Sequence, residues 1–184
     1  NFRPISHVSI FTETKIHTLK TLKAGDKAPD FEAKDQNGNL IKLADYAGKK
    51  LVLFFYPKAS TPGCTAEACN LRDNYHSFLA KGYDVLGVSA DSAKRQQNFI
   101  NKYELPFPLL ADEDKSVINA FGVWGPKKFM GKEYDGIHRT TFVISESGNI
   151  EEVISKVFDQ GMGYRRKPAN CKHGPLDSCH CTFK

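Results

Sequence analysis

A chain of 184 residues, 40% hydrophobic and 26% charged, has the length and composition of one globular domain with modest tails. No apolar run approaches the roughly 18 residues needed to cross a membrane. The five cysteines fall in two groups, Cys64 with Cys69 and then Cys171, Cys179 and Cys181, without the dense spacing of a secreted disulfide scaffold. The net charge of +5 sits at the ends: residues 161–184 set five basic residues against Asp177, and residues 1–30 set five against three. The near-neutral middle argues against a nucleic-acid-binding face on the domain.

Residues 1–23 show no clear period. Arg3, His7, Glu13, Lys15 and His17 interrupt the apolar positions, so the uninterrupted core of a secretory signal is missing. A first residue of Asn1 reads as a processed or partial form. The default location is cytoplasmic, with a plastid home left open. Residues 24–160 read as the domain.

Gly25 to Asp30 is turn-rich. Phe31–Lys34 and Leu40–Leu43 flank Asn37-Gly38, a hairpin signal that predicts a type I′ turn. Leu43–Tyr46 reads as a short helical turn closed by Gly48. Leu51–Tyr56 is a continuous apolar run, the pattern of a strand buried on both faces. After the turn-forming residues Pro57 to Gly63, a helix is predicted from about Cys64 to Lys81, with Leu71, Tyr75, Phe78 and Leu79 on one stripe.

Tyr83–Ser89 is the next buried strand. Asp91 or Ser92 is expected to cap a helix reaching about Tyr103, with Phe99 and Ile100 inward. Phe107–Ala111 reads as a strand and Lys115–Phe121 as a short helix. Residues 123–137 read as a long Gly-rich loop carrying Trp124, Phe129 and Tyr134. Thr140–Ser145 and Asn149–Ile154 read as a closing hairpin. Strands alternating with helices before a hairpin indicate an α/β fold with a mixed sheet. Residues 161–184 lose all periodicity and are expected to form an irregular, disordered basic tail.

Cys64 stands where a strand and tight loop deliver it to the first turn of a helix. Unpaired N–H groups and the positive end of the helix dipole favour a thiolate there. The bland alternative is a small buried apolar residue. Cys69 lies five residues on. In one regular α-helix the two Cα atoms would be roughly 8.6 Å apart, and a disulfide needs less than about 7 Å. A bond between them would require the first turns to unwind; plain helix packing is the alternative for Cys69.

The segment Pro57-x-x-x-Thr61-x-x-Cys64 resembles the P-x-x-x-T-x-x-C signature of peroxiredoxins. The run TPGCTAEAC through Leu71-Arg72-Asp73, with AGDKAPDF, VLGVSADS and FGVWGPKKFMGKEYDGIHRTTF, is similar to the bacterioferritin-comigratory or peroxiredoxin Q subfamily. The likeness spans residues 24–158. It implies a thioredoxin-like fold with an N-terminal β-hairpin, and a peroxidatic Cys64 whose thiolate attacks a hydroperoxide to give a sulfenic acid.

The resemblance assigns peroxide binding to Thr61 Oγ1, the backbone N–H groups beside Gly63 and Cys64, and the guanidinium of Arg139. Pro57 would shield the sulfur. Cys69 matches the resolving cysteine, closing an intramolecular disulfide that a thioredoxin-like dithiol reduces; since both cysteines lie in one chain, a monomer is favoured. No cofactor, metal, nucleic acid or membrane partner is expected.

Bland readings remain beside these. Thr61 could simply cap the helix, Arg139 could be a surface ion pair, and Glu67 could either orient Arg139 or face solvent. His138 reads as structural. Trp124, Phe129 and Tyr134 read as loop packing or as an apolar collar for alkyl hydroperoxides. The tail departs from the family in lacking a final helix, and Cys171, His173, Cys179, His180 and Cys181 lack a standard zinc spacing. The competing functions are thiol–disulfide exchange on proteins, which a C-x-x-C pair would favour, and a non-catalytic redox chaperone or signalling module.

Overall fold

The computed structural model describes residues 22–129 and 131–155. The expectations for residues 1–21 and 156–184, including those for Cys171, Cys179 and Cys181, lie outside the described residues. Among the described residues no helix is long and apolar enough to cross a membrane.

A hairpin comes first, β1 (Glu32–Lys34) against β2 (Leu40–Lys42), with Lys34 opposite Leu40. Its turn is not the two-residue type I′ loop that Asn37-Gly38 predicts. Only Gly38 has positive φ, at 85°, and the Asp35 carboxylate accepts the backbone N–H groups of Asn37 and Asn39, each at 2.8 Å. An acceptor ahead of the turn thus draws in a three-residue loop, residues 36–38. A 3-10 turn, Leu43–Tyr46, follows.

The remaining order is β3 (Lys50–Phe55), α1 (Pro62–Asp73), α2 (Tyr75–Ala80), β4 (Tyr83–Ser89), α3 (Ala93–Tyr103), β5 (Leu109–Ala111), α4 (Ser116–Ala120), β6 (Trp124–Phe129), β7 (Lys132–Ile137), β8 (Thr140–Ile144) and β9 (Ile150–Ile154). Five strands form the main sheet in the order β5-β4-β3-β8-β9. β3 is central, parallel to β4 and antiparallel to β8. That position between two neighbours and two covered faces explains its unbroken apolar sequence.

Side chains alternate across the sheet. Leu51, Leu53 and Phe55 enter a cluster with Phe121 of the α4 region, Phe142 and Ile144. Val52, Phe54 and Tyr56 enter the other, with Cys64 and Ala68 of α1 and Phe99 of α3. One sheet face therefore carries α1, α2 and α3, and the other carries α4 and the first hairpin.

Three expectations change. The helix predicted over 64–81 is two helices, because Asn74 donates its side-chain amide to the Asn70 carbonyl at 2.9 Å and its backbone leaves the helical region. The stripe splits with it: Leu71 is buried, but Leu79 is exposed. β5 starts at Leu109, since Pro108 has no N–H to offer a neighbour. Residues 123–137 are not a loop but a ribbon, with Trp124 opposite Ile137 and Phe129 opposite Lys132. Gly125, Pro126, Gly131 and Gly136 hide the strand propensity there.

Candidate active site

The loop after β3 leaves the sheet at Tyr56 and reaches α1 through a tight path. Ser60 adopts φ 62°, a left-handed conformation that a non-glycine residue holds at some cost. Thr61 then occupies the N-cap position with extended backbone, and Pro62 fills the first helical position, where a missing N–H loses nothing. The first helical backbone bond runs from Thr65 N to Thr61 O at 2.8 Å. The N–H groups of Gly63 and Cys64 precede it, so the helix supplies them no acceptor.

Thr61 is not a side-chain cap. Its hydroxyl lies 2.9 Å from the Lys58 carbonyl and 3.0 Å from Cys64 Sγ. One hydrogen cannot serve both well. When it goes to the Lys58 carbonyl, which can only accept, the hydroxyl oxygen offers lone pairs to the sulfur side. When the sulfur is an anion, the hydrogen can turn to it.

Arg139, in the link between β7 and β8, brings a guanidinium nitrogen to 3.2 Å from Cys64 Sγ. Its other terminal nitrogen pairs with Glu67, one turn along α1 from Cys64. Glu67 is only 8% exposed, so it is neither solvent-facing nor incidental. Thr141 Oγ1 donates to its second oxygen at 3.4 Å. Burial pushes the Glu67 carboxyl above its usual range, and Arg139 opposes that push. Burial likewise works against the Arg139 charge, and Glu67 and Cys64 outweigh it, holding the guanidinium above its usual value. The two directions pull opposite ways on one ion pair. Arg139 keeps its charge, because a guanidinium does not deprotonate in proteins, and that charge draws on the Glu67 carboxylate against its burial.

Gly63 is needed at close quarters: a Cβ there would lie 3.3 Å from the Arg139 guanidinium. Cys64 itself is 1% exposed and packs on the α1 side of the sheet. Its sulfur is thus enclosed, yet met by a hydroxyl and a guanidinium and not by hydrocarbon alone. Cys69 is also buried, and neither it nor Cys64 is in a disulfide; both lie in the unbroken helix α1.

Other candidates are placed differently. Pro57 is exposed at the start of the loop. His138 donates its backbone N–H to Val123 O at 2.7 Å, and its Nε2 is buried without a hydrogen-bond partner among the described residues. Trp124 packs with the cluster on the face away from Cys64, under Lys115 Nζ at 4.3 Å from the ring centroid. Tyr134 is 50% exposed. Trp124 therefore forms no collar over the sulfur.

Sequence reasoning missed the support behind the loop. Asp91, read as a helix cap, instead turns its carboxylate to Ala59 N at 2.6 Å. Ser89, Gln96 and Tyr56 complete a buried hydrogen-bonded group with it. A signal existed: Gln96 shares the inward stripe of α3 with Phe99 and Tyr103, and a polar residue at an inward position needs partners.

The model of the AhpC/TSA family matches residues 24–153. The chain is 51% identical over 136 residues to peroxiredoxin Bcp of Escherichia coli, covering 74% of this chain and 87% of that protein. It is 47% identical over 137 residues to peroxiredoxin Bcp of Bacillus subtilis, covering 74% and 87%. Among solved structures, a variant of Xanthomonas campestris peroxiredoxin Q superposes with a TM-score of 0.68 at 37% identity, over 73% of this chain and 88% of that one. Peroxidoxin BcpB of Mycobacterium tuberculosis gives 0.66 at 38% identity, over 74% and 88%. These neighbours share the thioredoxin-like architecture of a mixed sheet with flanking helices, and they do not favour the thiol–disulfide exchange alternative. The chain belongs to the AhpC/TSA family, as a thiol-dependent peroxidase of the peroxiredoxin Bcp and peroxiredoxin Q type.

Proposed function

We propose that Cys64 is the peroxidatic cysteine and Cys69 the resolving cysteine of a peroxidase acting on hydrogen peroxide and organic hydroperoxides. The observation that carries this reading is the convergence on the sulfur of the Thr61 hydroxyl, at 3.0 Å, and the Arg139 guanidinium, at 3.2 Å. The guanidinium favours negative charge on Sγ, and a guanidinium donor beside a hydroxyl oxygen suits a hydroperoxide whose O–O bond is stretching. The Xanthomonas campestris bacterioferritin comigratory protein, 36% identical, is described with alkyl peroxide reduction activity, which supports including organic hydroperoxides.

In this reading the thiolate attacks the terminal oxygen in line. The S–O bond forms as the O–O bond breaks, sulfur is oxidised and the peroxide reduced, and the leaving oxygen takes a proton from solvent to depart as water or alcohol. Thr61 accepts a hydrogen bond from the O–H of the attacked oxygen, which keeps its proton in the sulfenic acid, while Arg139 and the N–H groups of Gly63 and Cys64 hold the peroxide along the line of attack. Pro57, exposed at the start of the loop, is the residue the family signature assigns to shielding the sulfur from bulk water. The Cys69 thiol then displaces water from the sulfenic acid, forming the disulfide. In intact α1 the two Cα atoms stand roughly 8.6 Å apart, so this second step needs the first turns to unwind. The break at Asn74 bounds the helix that must do so. A thioredoxin-like dithiol returns both cysteines to thiols and leaves as its own disulfide. Both cysteines lie in one chain, so the cycle needs no residue from a second copy, which favours a monomer.

The test follows peroxide consumption with thioredoxin and its reductase as the recycling system. Cys64→Ser is expected to lose all turnover. Cys69→Ser is expected to give one fast equivalent of oxidation and then little recycling. Multiple turnover by Cys64→Ser would refute the assignment.

A further inference from the structure

The loop that carries Thr61 is held from outside by a carboxylate thirty residues downstream. Asp91 is 8% exposed, and its Oδ2 accepts the backbone N–H of Ala59 at 2.6 Å. The same oxygen accepts the Ser89 hydroxyl at 2.9 Å. Ser89 Oγ in turn accepts from Gln96 Nε2 at 2.9 Å, whose other hydrogen goes to Leu110 O at 2.8 Å. Gln96 Oε1 accepts the Tyr56 hydroxyl, and Arg95 Nε lies 3.4 Å from Asp91 Oδ1. The Ala59 N–H, the Ser89 hydroxyl and both Gln96 amide hydrogens each have an acceptor, so the orientation of the carboxylate is fixed by the sheet and α3. A fully satisfied buried network is stiff.

What it holds matters because of covalent geometry. The Ala59 N–H and the Lys58 C=O belong to one peptide unit. There is no cis peptide among the described residues, so the two groups point in opposite directions from one plane. Asp91 pulls on one side of the plane; the carbonyl on the other side accepts the Thr61 hydroxyl at 2.9 Å. That hydroxyl is 3.0 Å from Cys64 Sγ.

We infer that Asp91 is a positioning residue of the peroxidase: by fixing the Lys58–Ala59 peptide plane it commits the Thr61 hydrogen to the Lys58 carbonyl. The Thr61 oxygen then presents its lone pairs to the peroxide. This rests on the reading of Cys64 as the peroxidatic cysteine. Without Asp91 the peptide plane can turn, the hydroxyl is free to donate toward the sulfur, and an incoming hydroperoxide meets a donor where it needs an acceptor.

The test compares two reactions of reduced Cys64 in single turnover, oxidation by hydrogen peroxide and alkylation by iodoacetamide, in a Cys69→Ser background. Asp91→Ala is expected to slow the peroxide reaction about tenfold or more, as loss of a buried charged hydrogen bond commonly does. Alkylation, which needs no acceptor at Thr61, should change far less. Asp91→Asn keeps an oxygen for the Ala59 N–H and should recover most of the peroxide rate. Thr61→Val should be slow alone, and adding Asp91→Ala to it should cost little more, since both act through the same hydroxyl.

If Asp91→Ala does not fold, Asp91→Ser keeps a polar atom in the site but is too short to reach Ala59. It carries the same expectation. Equal slowing of both reactions, or full additivity with Thr61→Val, would mean Asp91 is only structural and overturns the inference. That outcome leaves the reading of Cys64 intact; turnover surviving in Cys64→Ser would remove the reading itself.

Discussion

The two faces of the central sheet are built from the same strands but from different chemistry. On one, Phe55, Phe121 and Phe142 meet as an aromatic group, with ring centroids 5.2–5.8 Å apart, among aliphatic neighbours. On the other, the hydrocarbon of Phe54 and Phe99 is shared with Cys64, the Glu67–Arg139 pair and the Tyr56–Gln96–Ser89–Asp91 group. Alternation along β3 sends Leu53 and Phe55 to the first and Phe54 and Tyr56 to the second. The first face stabilises the fold by area removed from water, a non-directional contribution. The second adds directional contacts to its hydrocarbon, and Glu67, Asp91, Ser89 and Gln96 are tolerated there because each is paired. Thr65 Oγ1, by contrast, is buried without a partner among the described residues. If stability and catalysis divide by face, a variant on the first will move stability and spare the rate, whereas one on the second will reach the rate.

The largest effect is expected from Phe142→Ala. It removes a ring packed at 5.2 Å against Phe121 and 5.8 Å against Phe55, and should cost about 3–5 kcal/mol of unfolding free energy. The peroxide rate of the surviving folded protein should stay within about twofold, since no polar partner of Cys64 is touched. Urea unfolding and single-turnover oxidation on the same samples decide it. A rate that fell along with stability would mean the faces are coupled.

Arg139→Met acts on the other face. A donor to the sulfur is lost, and the oxidation rate should fall about 10²–10³-fold. Stability should fall too, because Glu67 is left buried and unpaired. Adding Glu67→Gln should restore much of the stability and none of the rate, separating the donor from the ion pair. Recovery of rate in the double variant would deny Arg139 its role at Cys64.

The sheet was legible because β3, β4, α3 and the closing hairpin each carry a clean apolar pattern. Its exceptions have local causes: the Asn74 side chain breaks a helix that periodicity continues, and the Gly- and Pro-rich β6–β7 ribbon exists through pairing, not side-chain preference. Within the site, Cys64, Thr61, Gly63 and Arg139 were legible as a motif, and the structure brings them together. The burial of Glu67 and the reach of Asp91 were not. Whether a carboxylate caps its own helix or crosses to another loop depends on tertiary neighbours that spacing does not encode.

Gly87 probes how tightly the directional face is packed. It sits in β4, where a Cβ would lie 2.5 Å from Leu109 Cδ2 and 2.7 Å from Phe54 Cζ. Gly87→Ala must displace one of these, at about 1–3 kcal/mol. Phe54 stacks on Tyr56, their centroids 5.5 Å apart, and Tyr56 donates to Gln96, so the shift should also reach the loop support. A modest loss of peroxide rate should therefore accompany the loss of stability, unlike Phe142→Ala. A destabilised variant with an unchanged rate would show the polar group to be insulated from its packing.

The smallest effect concerns a titrating group that packs against the face carrying α4 and the first hairpin. Burial, aided by Asp84 and Asp45, raises the Tyr46 hydroxyl to about 12. An unfolded tyrosine ionises near 10. Above that value the unfolded chain gives up its proton while the folded one keeps it, so Tyr46 favours unfolding as pH rises from about 10 to 12. Its contribution to stability is whole below 10 and is lost across that window, by less than the roughly 1.4 kcal/mol per pH unit of a fully coupled group, because Tyr46 keeps some contact with solvent. Tyr46→Phe has no such proton. Its urea midpoint should match the parent's slope with pH up to about 9 and fall less steeply from 10 to 12, with unaltered peroxide kinetics at neutral pH. Parallel curves through that window would show that Tyr46 titrates as it does in the unfolded chain.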